Sequence, residues 1–265
     1  MRVTVEDVEI EVEAAGQAGP ALLLVHGLGG SHKVWSAMMP LLAGSARVFA
    51  LDLRGCGAST RGDAPWTLAR AAADMEGVAR ALGLDRYVAV GHSLGGVIVE
   101  ELLARAPASL AGAVLVSTSS RLNEKATENW RRIADAVEAR GLPDTPAAHA
   151  RGFAEEFVAL HGDIVAAQAR EAAGADPKVY AEQARAASSY DYTHALASVT
   201  CPVLVVQGLA DRLTPPGGSV LLHRALPPGS RLEMIEGAGH NLPIEMPERM
   251  AALVLAFARE ILHGA

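Results

Sequence analysis

Apolar and polar positions alternate at the start of the chain. Val3, Val5, Val8, Ile10 and Val12 stand against Thr4, Glu9, Glu11 and Glu13, which predicts a half-exposed strand pair turning near Glu6-Asp7. Further on, Ala21–Val25 is apolar on both faces, as in an interior strand. Tyr87–Val90 and Ala111–Val116 read as buried strands, and Arg47–Leu51, Pro202–Val206 and Arg231–Ile235 as further strands. Helical spacing separates them. Val34, Met38 and Leu41/Leu42 mark one helix. Leu68, Ala71/Ala72, Met75, Val78 and Leu82 mark a second, with Thr67 as N-cap and Gly83 at its C-terminal end. A third follows Ser93, a fourth covers Val220–Leu226, and a fifth starts near Pro247 with Met250, Leu253/Val254, Phe257 and Ile261 on one face.

From about Arg121 to Ser198 this alternation stops. The stretch is Ala-rich, charged and helical in period, divided by breakers at Gly141-Leu142-Pro143, Gly162, Gly174 and Pro177. The expected organisation is a core of residues 1–120 and 199–265 with a helical insertion at 121–198. Alternating strands and helices imply an α/β fold, a mostly parallel sheet with helices on both faces. Ligands bind such sheets beyond the carboxyl ends of the strands.

Composition narrows the function classes. Half of the 265 residues are hydrophobic, enough for a sizeable core, and the net charge is −7. Dispersed acidic charge gives no electrostatic case for a nucleic acid or an anionic membrane. No run of about 18 apolar residues suggests a membrane span, and the first residues lack a signal-peptide pattern, so the expectation is a soluble cytoplasmic protein. Cys56 and Cys201 read as buried small apolar groups rather than a disulfide framework.

The candidate chemistry sits where strands end. Gly91-His92-Ser93-Leu94-Gly95 lies between an apolar strand and a helix. A serine at so sharp a turn needs strained backbone angles, and glycine two residues either side removes the bulk that would clash. A serine hydroxyl also needs a base, and the base needs an orienting group. Histidine is the natural base, and His240 ends a Gly-rich loop directly after the last strand. Asp211 follows the strand before it. The competing position after Ala111–Val116 offers only Ser117-Thr118-Ser119-Ser120, with no carboxylate. Asp52 reads as a turn residue, and His26 and His92 as hydrogen-bonding scaffold. An oxyanion hole needs two backbone donors, expected at Leu94 and at Leu28 after His26-Gly27.

These residues carry a family resemblance. His26-Gly27, Asp52-Leu53-Arg54-Gly55-Cys56-Gly57-Ala58-Ser59, Gly91–Gly96, Gly208-Leu209-Ala210-Asp211, and Gly239-His240 followed by Glu245-Met246-Pro247-Glu248 together resemble the α/β-hydrolase superfamily, in its order Ser…Asp…His. The resemblance implies an eight-stranded sheet with the insertion as a lid, and a serine hydrolase acting on a small-molecule carboxylic ester or lactone. It implies no metal and no organic cofactor. Ser93 at the elbow argues against members that open epoxides or remove halide, which carry Asp there. The insertion is most similar to those of 3-oxoadipate enol-lactonases and related carboxylesterases, through Trp130-Arg131-Arg132-Ile133, Phe153-Ala154-Glu155-Glu156-Phe157 and the segment Asp191–Leu196. Haloperoxidase-like esterases and carbon–carbon bond hydrolases share the framework, as do slow-turnover small-molecule receptors. Expected substrate contacts are His26, Gly27, Trp130, Arg131 and Arg132. The two arginines could pair with a substrate carboxylate, although adjacent helical arginines ordinarily serve as solvated surface charge.

Overall fold

The computed structural model describes residues 1–142 and 146–263. Pro143, in the first expected breaker, lies outside the described residues, as do residues 264–265 of the expected core. β1 (Arg2–Val5) and β2 (Val8–Ala15) form the antiparallel pair that the alternation predicts. β3 (Ala21–Val25) follows. The single helix expected around Val34–Leu42 is broken: a 3-10 turn spans His32–Trp35, and α1 runs Met39–Ala43. Pro40 accounts for the break. Inside a continuous helix it would remove a hydrogen bond and clash with the carbonyl four residues back, whereas a first turn tolerates it.

β4 (Arg47–Leu51) leads to α2 (Leu68–Ala81), whose N-cap Thr67 accepts the Arg70 N–H at 3.1 Å. The chain leaves that helix through Gly83 at φ 63°. β5 (Tyr87–His92), α3 (Leu94–Arg105) and β6 (Leu110–Val116) come next. Among the described residues, six helices separate β6 from the next strand. They are α4 (Glu124–Arg140), α5 (Pro146–Ala150), α6 (Glu155–Leu160), α7 (Gly162–Ala173), α8 (Pro177–Ala186) and α9 (Thr193–Leu196). The chain then closes with β7 (Val203–Gly208), α10 (Pro216–Ala225), β8 (Arg231–Ile235), α11 (Leu242–Glu245) and α12 (Pro247–His263).

The eight strands form one sheet in the order β1-β2-β4-β3-β5-β6-β7-β8. β1 and β2 pair antiparallel, β2 joins β4 antiparallel, and every later pairing is parallel. Alternate residues of the central strands feed two cores. Leu22, Leu24, Val88, Val90 and Val114 pack with Trp35, Met250 and Phe257 on one face. Leu23, Val25, Ala89 and Leu115 pack with Met75, Ile98 and Leu102 on the other. Burying one such leucine or valine side chain contributes about 1.5–3 kcal/mol, which keeps these strands central. Both thiols are free; Cys56 is buried as expected, whereas Cys201 is only half-buried. Among the described residues no helix is long and apolar enough to cross a membrane.

Candidate active site

β5 delivers Ser93 at a turn with φ 55° and ψ −118°, and α3 starts at the next residue. This left-handed geometry costs a non-glycine residue about 1–3 kcal/mol and persists only where the surroundings enforce it. The Ser93 N–H donates to Val116 O at 2.8 Å, so the sheet ladder continues into the turn. The flanking glycines are sterically required. A Cβ on Gly91 would lie 2.3 Å from Gly95 O, and one on Gly95 would lie 2.4 Å from Val25 O. Helix and sheet therefore approach more closely here than any side chain permits.

Asp211 follows β7 and His240 follows β8, two and three strands along the sheet from β5. His240 Nδ1 donates to Asp211 Oδ2 at 2.8 Å, and both side chains are buried. That bond fixes the proton on Nδ1, so the neutral ring carries its lone pair on Nε2. Asp211 is fully engaged. Its Oδ1 accepts the N–H groups of Leu213 and Thr214 at 2.8 Å each, and Oδ2 also accepts Gln207 Nε2 at 3.0 Å. Burial pushes the Asp211 carboxyl up, but the bonds and charge from His240, Thr214 and Gln207 outweigh it and hold the group below the usual carboxylate range.

His92 joins this pair to the serine. Its Nε2 donates to His240 O at 2.9 Å, and the two rings lie 5.0 Å apart. Burial, with a smaller push from His240, takes His92 down to about 3, so it stays neutral. The residue before Ser93 thus touches the backbone of His240. Ser93 Oγ itself makes no hydrogen bond to His240 among the described residues. Such bonds commonly tighten only when substrate binds.

A cavity of about 820 Å³ opens beside Ser93. Leu28, Leu94 and Val97 line its floor, Trp130 and Tyr190 come from the helical segment, and Leu213 and Leu221 stand at its exposed edge. The N–H groups of Leu28 and Leu94 have no hydrogen-bond partner among the described residues, so both remain available as donors. The Leu28 loop is held from above by α8. Gly29 N–H donates to Gln183 Oε1 at 3.1 Å, and Gln183 Nε2 donates to Cys56 Sγ at 3.1 Å. A second cavity, of about 670 Å³ between Trp66, Glu101 and Arg185, contains none of the candidate residues.

Several of the expected contacts lie apart from this cavity. His26 is fully buried, donates from Nδ1 to Gly27 O at 2.7 Å and accepts Leu53 N–H on Nε2 at 3.0 Å. Nε2 ties the end of β3 to the chain just after β4 and Nδ1 is taken by the neighbouring peptide, which leaves no polar group for a substrate. Gly27 is also buried, and neither residue lines the cavity. Trp130 does line it, but Arg131 and Arg132 do not and are exposed. The helical period explains the difference. Trp130, Ala134 and Val137 share the covered face of α4, so the next two positions turn to solvent, where Arg132 bonds Asn129 Oδ1 at 2.8 Å. The cations that reach the cavity are Arg121 and Lys125.

Three residues were not singled out from the sequence. Gln207, a polar side chain ending an apolar strand, orients Asp211 and in turn accepts Ser219 Oγ at 2.6 Å. Its place in that strand was a usable signal. Gln183 lies in an Ala-rich helix and gave none. Glu245 belonged to a noted motif, but its spacing suggested no task.

Comparison with known proteins agrees with this architecture. A family model described as alpha/beta hydrolase fold matches residues 20–247. A protein of Escherichia coli O1:K1 named "Putative carbamate hydrolase RutD" is 30% identical over 261 residues, covering 92% of this chain and 93% of that protein. A thermophilic esterase from Thermogutta terrifontis superposes with a TM-score of 0.90 at 29% identity, over 98% of this chain and 99% of that one. The enol-lactonase from Burkholderia xenovorans LB400 gives a TM-score of 0.90 at 23% identity, over 97% and 99% of the two chains, a likeness of fold alone.

Proposed function

This chain belongs to the α/β hydrolase fold family, and from that footing we propose that it is a serine hydrolase cleaving a carboxylic ester or lactone of a small molecule. The observation that carries the reading is the 2.8 Å bond between His240 and Asp211, joined through His92 to the strained turn at Ser93. In this reading His240 Nε2 takes the Ser93 proton as Oγ attacks the substrate carbonyl. Asp211 holds the ring and stabilises its charged form. The N–H groups of Leu28 and Leu94 receive the tetrahedral oxyanion, each worth about 3 kcal/mol of barrier. His240 then protonates the departing alkoxide, leaving an acyl group on Ser93. Water, activated by the same imidazole, releases the acid. Every proton in this cycle is handled by side chains of this chain.

The helices of residues 121–198 serve as the lid in this proposal, with Trp130 and Tyr190 shaping the acyl or alcohol side of the cavity. The relative named for carbamate hydrolysis adds carbamates to the substrate classes worth testing, since the same attack on a carbonyl serves them. The test is a turnover screen across short-chain p-nitrophenyl esters, lactones, enol-lactones and carbamates. Multiple turnover is expected on at least one class, with Ser93→Ala reducing kcat by about 1,000-fold or more. Wild-type kcat in Ser93→Ala would overturn the mechanism.

A further inference from the structure

His240 is fixed at two points. Asp211 governs only the rotation of its ring; the position of the ring depends on the peptides either side. Those peptides converge on one carboxylate. Glu245 Oε2 accepts the N–H of Gly239 at 2.9 Å, and Oε1 accepts the N–H of Asn241 at 3.0 Å. Oε2 also accepts Ala154 N–H at 2.9 Å, from the segment between α5 and α6. The same segment answers from its other side. Gly152 O accepts His240 N–H at 3.1 Å and Asn241 Nδ2 at 2.9 Å. Gly239 leaves no slack, because a Cβ there would lie 2.5 Å from Ala154 N. Glu245 itself is 8% exposed, and a carboxylate accepting N–H groups makes shorter, stronger bonds than a neutral acceptor.

We propose that Glu245 is a positioning residue for His240: its carboxylate clamps the backbone on both sides of the base and ties it to Gly152–Ala154. The activity readout rests on the hydrolase reading above; the structural readout does not. A carboxylate is required because three donors converge on it. The amide of Glu245→Gln keeps one acceptor oxygen but turns an N–H₂ group toward N–H donors, so the clamp opens. Glu245→Asp keeps the charge with shorter reach.

The experiment compares wild type, Glu245→Gln and Glu245→Asp by ester turnover and by proton NMR of the His240 Nδ1–H in its bond to Asp211. Circular dichroism reports the folded fraction. Glu245→Gln is expected to lower kcat per folded protein by about tenfold to a hundredfold, the range for a slightly misplaced catalytic group, with KM nearly unchanged. The Nδ1–H resonance should shift or broaden, and Glu245→Asp should fall between. Wild-type kcat per folded protein with an unmoved resonance overturns the proposal, even if melting temperature drops. If Glu245→Gln does not fold, Glu245→Asp carries both readouts on the same terms. A wild type that turns over no substrate, with a resonance that still responds to Glu245, sinks the hydrolase reading and supports the clamp.

Discussion

Glu100 is fully buried on α3, and neither of its carboxylate oxygens has a hydrogen-bond partner among the described residues. Burial alone pushes its carboxyl well above the ordinary value of 4.5. Asp211 is also buried yet shifts the other way, because donors surround it. Burial by itself therefore does not set the sign; the partners do. The consequence for stability differs accordingly. Folded Glu100 keeps its proton where unfolded Glu100 has lost it, so stability falls as pH rises above 4.5, until the folded group also ionises. The slope is up to about 1.4 kcal/mol per pH unit. Asp211 contributes stability above 3.8 and loses it as pH falls below that value. Glu100→Met keeps a similar volume and removes the titration. Urea unfolding should find it more stable than wild type at pH 8, with the difference shrinking toward pH 4. Parallel stability curves between pH 5 and 8 would show that Glu100 carries no such burden.

The strand–turn–helix unit of β5 and α3 depends on contacts between backbones, and glycine substitutions test it. Gly95→Ala would push a methyl against Val25 O at 2.4 Å, where neither side can move without shifting a central strand. It should cost about 1–3 kcal/mol in urea melts and reduce ester turnover by displacing Ser93. Gly44→Ala, at φ −68° with nothing within 4 Å of its added methyl, should stay near wild type in both assays. Equal behaviour of the two variants would refute the steric account. This dependence also explains why the elbow was legible in the sequence: a fixed spacing of small residues is forced by geometry that does not vary with substrate. The same holds for Thr67 and Gly83, whose capping roles follow from local rules alone. Arg131 and Arg132 have the residue type for binding a carboxylate, but a turn of about 100° per residue places them off the cavity that Trp130 lines. Gln183 reaches the N–H of Gly29 and Glu245 that of Ala154, both distant in sequence, and the nearer bonds of Glu245 to Gly239 and Asn241 depend on a loop path that periodicity does not encode.

At the level of the whole molecule, cohesion is unequal. The two faces of the sheet bury large apolar clusters, while among the described residues the third cluster, between α4 and α8, has Ala134, Ala181 and Ala184 as its buried members. The sheet was legible because both-face apolar strands announce themselves; the packing of α4 and α7 was not, because each combines a few small buried residues, Ala134 and Val137 in one and Val165 and Ala169 in the other, with charged outer faces. Val179, Ala187 and Leu196 of the helical segment join the large cluster on one face of the sheet, and polar contacts add to that anchorage. Ser31 Oγ bonds Glu171, Arg61 pairs with Glu182, Gly29 bonds Gln183, and Ala154 bonds Glu245. Ion pairs at partly exposed positions such as Arg61–Glu182 contribute about 0–1 kcal/mol, far less than the burial that holds β3, β5 and β6 together. Segments with few buried apolar groups open before the global transition. Amides of α4 and α7 should therefore exchange with deuterium faster than those of β5 and β6, through an opening that leaves the sheet intact. Because Trp130 on α4 lines the Ser93 cavity, a phosphonate bound covalently to Ser93 should slow exchange in α4 while leaving β5 unchanged. A common exchange rate for α4 and β5 would mean instead that residues 121–198 and the sheet unfold as one unit.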